Sequence, residues 1–132
     1  MQLVRPIDIE NALRVDLAQF LDADVFAPPA PDDISAGSVQ VMSVGGAPQS
    51  AVSNEHDVRV DCWAATPADA IALANEAAGI VASLPLRDMD SGRHYLTASL
   101  NALPYLNPDP NRPLLPRASF RAELGIRGIP II

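Results

Sequence analysis

The chain has 132 residues, with nine arginines, no lysine, sixteen acidic residues and a formal net charge of −7. That length suits one domain with its own core, and the single cysteine, Cys62, excludes an internal disulfide. The acidic balance excludes a protein that grips nucleic acid, which needs clustered basic surface to displace counterions from phosphates.

Pro6 reads as the first-turn residue of a helix running to about Asp22, with Ile9, Leu13, Leu17, Phe20 and Leu21 recurring at three- and four-residue steps. Val25-Phe26 is a short extended candidate, followed by Ala27 to Pro31, whose three prolines forbid helix. Ser38 to Val44 is β-branched and reads as a strand that Gly45, Gly46 and Pro48 end. A loop of about nine residues leads to a second strand, Glu55 to Ala64. There His56, Val58, Val60 and Cys62 point one way and Glu55, Asp57, Arg59 and Asp61 the other.

Thr66-Pro67-Ala68-Asp69 combines a capping hydroxyl, a first-position proline and a carboxylate three residues after the cap. The helix it opens should run to about Leu84, with Pro85 as the stop. Two further strands are expected, from about His94 to Ala102 and from Ala118 to Arg127, the second a strict alternation. Between them Pro104 to Pro116 carries five prolines and reads as an irregular loop. The expected fold is α+β: two helices packed on an antiparallel or mixed β-sheet, in the order α-β-β-β-α-β-β, in one domain.

Residues able to do chemistry are few. His56 and Cys62 share a strand face but lie roughly 20 Å apart along it, too far to hold one metal. Cys62 reads as a small buried hydrophobe, and His56 as a surface or hydrogen-bonded histidine. The carboxylates of the second strand have no visible cleft to work in and read as a solvated face. Asp88, Asp90, Ser91 and Gly92 resemble a fragment of a calcium loop without its terminal glutamate. Gly45-Gly46 lacks phosphate-loop spacing, and a chain without lysine has no nucleotide-hydrolysis motif. No catalytic, cofactor or metal site is expected. Arg5, Asp8, Glu10 and Arg14 interrupt the first residues, and glycines break the longest uncharged stretch, so neither a signal peptide nor a membrane span is expected.

The phrase Val58-Arg59-Val60-Asp61-Cys62-Trp63-Ala64, passing directly into Thr66-Pro67-Ala68-Asp69-Ala70, and the late strand Phe120-Arg121-Ala122-Glu123-Leu124 resemble the tail terminator (tail completion) proteins of long-tailed bacteriophages, especially those with actinobacterial hosts. The likeness covers most of the layout and is specific over about Asn54 to Leu84 and Pro116 to Gly128. It implies a structural virion protein of the tail neck, assembled in the host cytoplasm. It also implies a homo-oligomeric ring, usually a hexamer, that caps the tail tube protein and meets the head-completion or stopper protein. No cofactor comes with it, and double-stranded DNA would pass through without specific binding.

On that reading Glu55, Asp57 and Asp61 are channel-wall candidates, because negative walls repel phosphate. The proline-rich segment at about 103–116 is a candidate interface through Tyr105, Leu106, Leu114 and Leu115, since proline lowers the entropy a loop loses on docking; the alternative is a loop folded back on its own sheet. Ile129, Ile131 and Ile132 form an apolar end suited to a partner. Two other readings stay open: a head-tail connector or head-closure protein of the same neck, and a small-ligand-binding α+β domain whose pocket would gather His56, His94 and the acidic residues.

Overall fold

A computed structural model describes residues 4–131. Two helices lie on one face of a five-stranded sheet. Helix α1 (Ile9–Phe20) starts at Asp8, whose carboxylate accepts from the Asn11 N–H at 3.2 Å, so Pro6 lies before the helix rather than in its first turn. Helix α2 (Pro67–Ala82) starts as its cap signal predicts, with Thr66 accepting from the Asp69 N–H at 3.1 Å and Pro67 at the first position. Pro85 then sits in a single 3-10 turn, Leu84–Leu86.

The strands are β1 (Val4–Arg5), β2 (Asp24–Phe26), β3 (Ser38–Pro48), β4 (Ser53–Trp63), β5 (Tyr95–Leu106), β6 (Arg117–Arg127) and β7 (Ile129–Pro130). The main sheet runs β2-β3-β4-β6-β5, with β2 parallel to β3 and the other pairs antiparallel. This mixed sheet under two helices is the expected α+β class.

Three boundaries differ from the sequence reading. Strand β3 does not stop at the glycines but continues through Gly45 and Gly46 to Pro48, with a register shift between Ser43 and Gly45. The glycines adopt φ of 115° and 149°, which absorbs the bulge and leaves a hairpin loop of only Gln49 to Val52. Strand β5 continues through Pro104 to Leu106, so Tyr105 and Leu106 belong to a strand and the irregular segment begins at Asn107. The missing proline N–H is tolerated because β5 is an edge strand, and its pairing with β6 shifts register at three places. The chain end is also less free than expected: β7 pairs with β1, Ile129 opposite Arg5 and Pro130 opposite Val4.

The core lies between the sheet and the helices. Val39 and Val41 of β3, Val58, Val60 and Cys62 of β4, and Ala118, Phe120, Ala122 and Leu124 of β6 are all buried toward Leu13 and Leu17 of α1 and Ala70, Ala74, Ala78 and Val81 of α2. The alanines of α2 let that helix approach β4, β5 and β6 closely. Cys62 is buried as expected, and burial pushes its thiol up to about 12, so it stays protonated and inert.

Candidate assembly surfaces

The sheet face away from the helices divides into a covered half and an open half. Cover comes from residues 107–116, which fold back over their own sheet. Asp109 is the anchor: its carboxylate is buried and accepts from the Trp63 indole N–H at 3.3 Å, the Asn111 backbone N–H at 2.9 Å and the Arg112 guanidinium at 3.1 Å. Arg117 approaches the same carboxylate at 4.0 Å. Arg112 also donates to the Pro31 carbonyl, tying this strap to the proline-rich segment after β2. Trp63 is sandwiched beneath, stacked on Phe26 at 6.0 Å between ring centres.

A second chain of polar contacts runs under the strap. Asn107 donates to the Ser119 hydroxyl, which donates to Asp61 at 2.5 Å, and Arg59 pairs with the same Asp61 carboxylate at 3.1 Å. Asp61 is therefore buried, and its expected place on a channel wall is corrected. It points to the predicted side of the sheet, but the strap and its own hydrogen bonds remove it from solvent.

The open half holds the other two acidic candidates. Glu55 and Asp57 are half-buried there, and β6 brings Glu123 directly opposite Asp57. Carboxylate oxygens of the three lie within 4.8 Å of one another. A hydrogen bond shared with Glu123, and then the repulsion of that charge, hold the Glu55 carboxyl above the usual range. A group with a raised folded pKa contributes stability that is present below its unfolded value and is lost as pH rises through the folded one. Glu123→Gln should thus stabilise the protein at neutral pH, because it removes the charge that repels the Glu55 carboxylate. The gain should vanish as the pH is lowered toward 4, roughly the ordinary glutamate range. Thermal melts of the two proteins across that pH window check it.

Glu123 was legible only as one residue of an alternating strand; its place in the trio depends on cross-strand register.

The apolar candidates distribute unevenly. Leu103, Tyr105 and Leu106 at the end of β5 are 72%, 41% and 52% exposed, and Leu114 on the strap is 96% exposed. Leu115 is half-buried against a cavity of about 210 Å3 that Leu106 and Pro113 also line. Ile129 and Ile131 are exposed at the opposite end of β6, and Ile132 lies outside the described residues.

His56 and His94 do not share a pocket. His56 is buried on the helix side of β4, where desolvation lowers its pKa and keeps the ring neutral. Its Nε2 has no hydrogen-bond partner among the described residues, and its burial makes it something other than the surface histidine expected. His94 is exposed just before β5. The Asp88 to Gly92 segment is a loop, as expected, and is clamped to α1. Asp16 of that helix is buried and accepts from Ser91 Oγ at 2.6 Å, Arg93 Nε at 2.8 Å and the Tyr95 hydroxyl at 2.8 Å. Arg93 Nη2 reaches on to the Ala12 carbonyl, and the Asp90 N–H donates to Gln19.

No family model matches the chain, and no curated protein is similar enough to count as a relative.

Proposed function

We propose that this chain is a structural subunit of a bacteriophage neck, a tail-terminator-like protein that closes into a ring between tail tube and head. The observation that carries the proposal is the group of large apolar side chains left in water by the single subunit. Leu103, Tyr105, Leu106 and Leu114 all lie on β5 or the strap, and Leu114 is 96% exposed. A solvent-facing leucine on a proline-stiffened strap is poised for a neighbour, because little entropy remains to be lost on docking. The open acidic face with Glu55, Asp57 and Glu123 supports the passage of DNA in the same reading, since unneutralised carboxylates repel phosphate. The reading of one pocket that gathers both histidines with the acids loses support, because His56 and His94 line different cavities.

Native mass measurement of the purified protein, alone and mixed with tail tubes, tests the proposal. A discrete ring, free or on tube ends, is expected, and Leu106→Asp with Leu114→Asp should abolish it while leaving the circular dichroism of the subunit unchanged. Single subunits under both conditions, or a ring indifferent to the double substitution, would overturn it. Labelled subunits at the tube end rather than against the head separate a terminator from a connector or head-closure protein.

A further inference from the structure

A cavity of about 290 Å3 lies where β5 begins and β6 ends, and its lining is at odds with the charge of the chain. Arg93, His94 and Arg127 meet there beside Ile7, Leu96 and Ile126, and among the described residues no carboxylate lines it. In a protein with sixteen acidic residues and nine arginines, this is a local reversal of sign.

We propose that this cavity is a binding site for a small monocarboxylate with a short aliphatic body. This is independent of the ring proposal.

The volume sits at the small end of ligand sites, too small for a dinucleotide and suited to a body of a few carbons. Ile126 is buried, Ile7 half-buried and Leu96 exposed, so an aliphatic group has three apolar side chains to rest on. Arg93 is held in place by Asp16, which takes hydrogen bonds from its Nε and Nη2 and leaves Nη1 without a partner among the described residues. Its orientation is settled before any ligand arrives. Asp16 also offsets much of the Arg93 charge, so the net positive charge available comes chiefly from Arg127, which is exposed and whose guanidinium makes no hydrogen bond among the described residues. One uncompensated guanidinium matches a singly charged carboxylate, which it can hold through two parallel N–H donors, better than a phosphate dianion.

The test uses the full chain and three probes: N-acetylleucine, its uncharged amide, and acetate. In 1H–15N spectra N-acetylleucine should give saturable shifts at His94, Leu96 and Arg127. Loss of either half of the recognition, charge in the amide or aliphatic body in acetate, should weaken binding by about tenfold or more. Arg127→Gln should weaken N-acetylleucine binding by a similar factor, about tenfold. Equal binding of the amide, equal binding of acetate, no saturable shift with N-acetylleucine, or unchanged binding by Arg127→Gln would each overturn the proposal. The three-probe comparison is made on the unaltered protein and stands whether or not the variant folds.

Discussion

Replacing Asp16 with alanine should cost the protein about 3 kcal/mol, near the lower end of what removing one partner from a buried ion pair costs. Asp16 is fully buried and is the common acceptor for Ser91, Arg93 and Tyr95, so its loss leaves three donors without their acceptor. Arg93 is 30% exposed and can turn to water, which keeps the cost from the top of the range. Tyr95 has no such escape, being buried in the core with its hydroxyl facing the empty place. Asp16→Asn should recover little: its amide nitrogen would point a donor at groups that are already donors. Thermal denaturation of wild type, Asp16→Ala and Asp16→Asn checks this, with a fall in melting temperature on the order of 10 °C expected for the alanine variant. Equal midpoints would show that the clamp between α1 and the loop before β5 is decorative.

Asp109→Ala should release the strap at a cost of about 1–3 kcal/mol, the penalty for leaving buried donors unmatched. Here the donors are the Trp63 indole and the guanidinium of Arg112, with Arg117 close by. Trp63 is the only tryptophan in the chain, so its emission reports directly on the strap. A red shift is expected as water reaches the ring, without loss of the far-ultraviolet spectrum. Acid should do the same. Burial alone would raise the Asp109 pKa, but the Asn111 N–H, Arg112, Arg117 and the Trp63 indole outweigh it and bring the carboxyl below its usual range. Its stabilising effect is therefore present above the ordinary aspartate value of about 3.9 and is lost as the pH falls through the lower folded value. The tryptophan shift in wild type should appear only below about pH 4, and Asp109→Ala should show it at neutral pH.

Local signals made the helices and most strands readable. Thr66 and Pro67 mark the start of α2 because a cap and a fixed φ act within four residues. The alternation of β6 survives because its even-numbered face, Ala118 to Ile126, meets the core and nothing else. Pro104 looks like a strand breaker in the sequence because the cost of proline depends on whether its strand is central or at an edge, which is a property of the sheet rather than of the segment. For Asp61 the sequence carries the side of β4 but not the environment. Alternation says which way a side chain points, but only the strap, roughly fifty residues later, decides whether water is there. The Asp16 clamp had no local trace at all, since its partners lie 75 to 79 residues away.

The irregular outer strand also limits how copies of the protein can meet. Three slips in the pairing of β5 and a proline near its end deprive a visiting strand of a regular row of donors and acceptors to copy. Copies meeting at this edge would have to hold one another by interlocking side chains rather than by extending a shared backbone lattice. An association of that kind would be open to tuning by surface substitution, with each subunit keeping its shape.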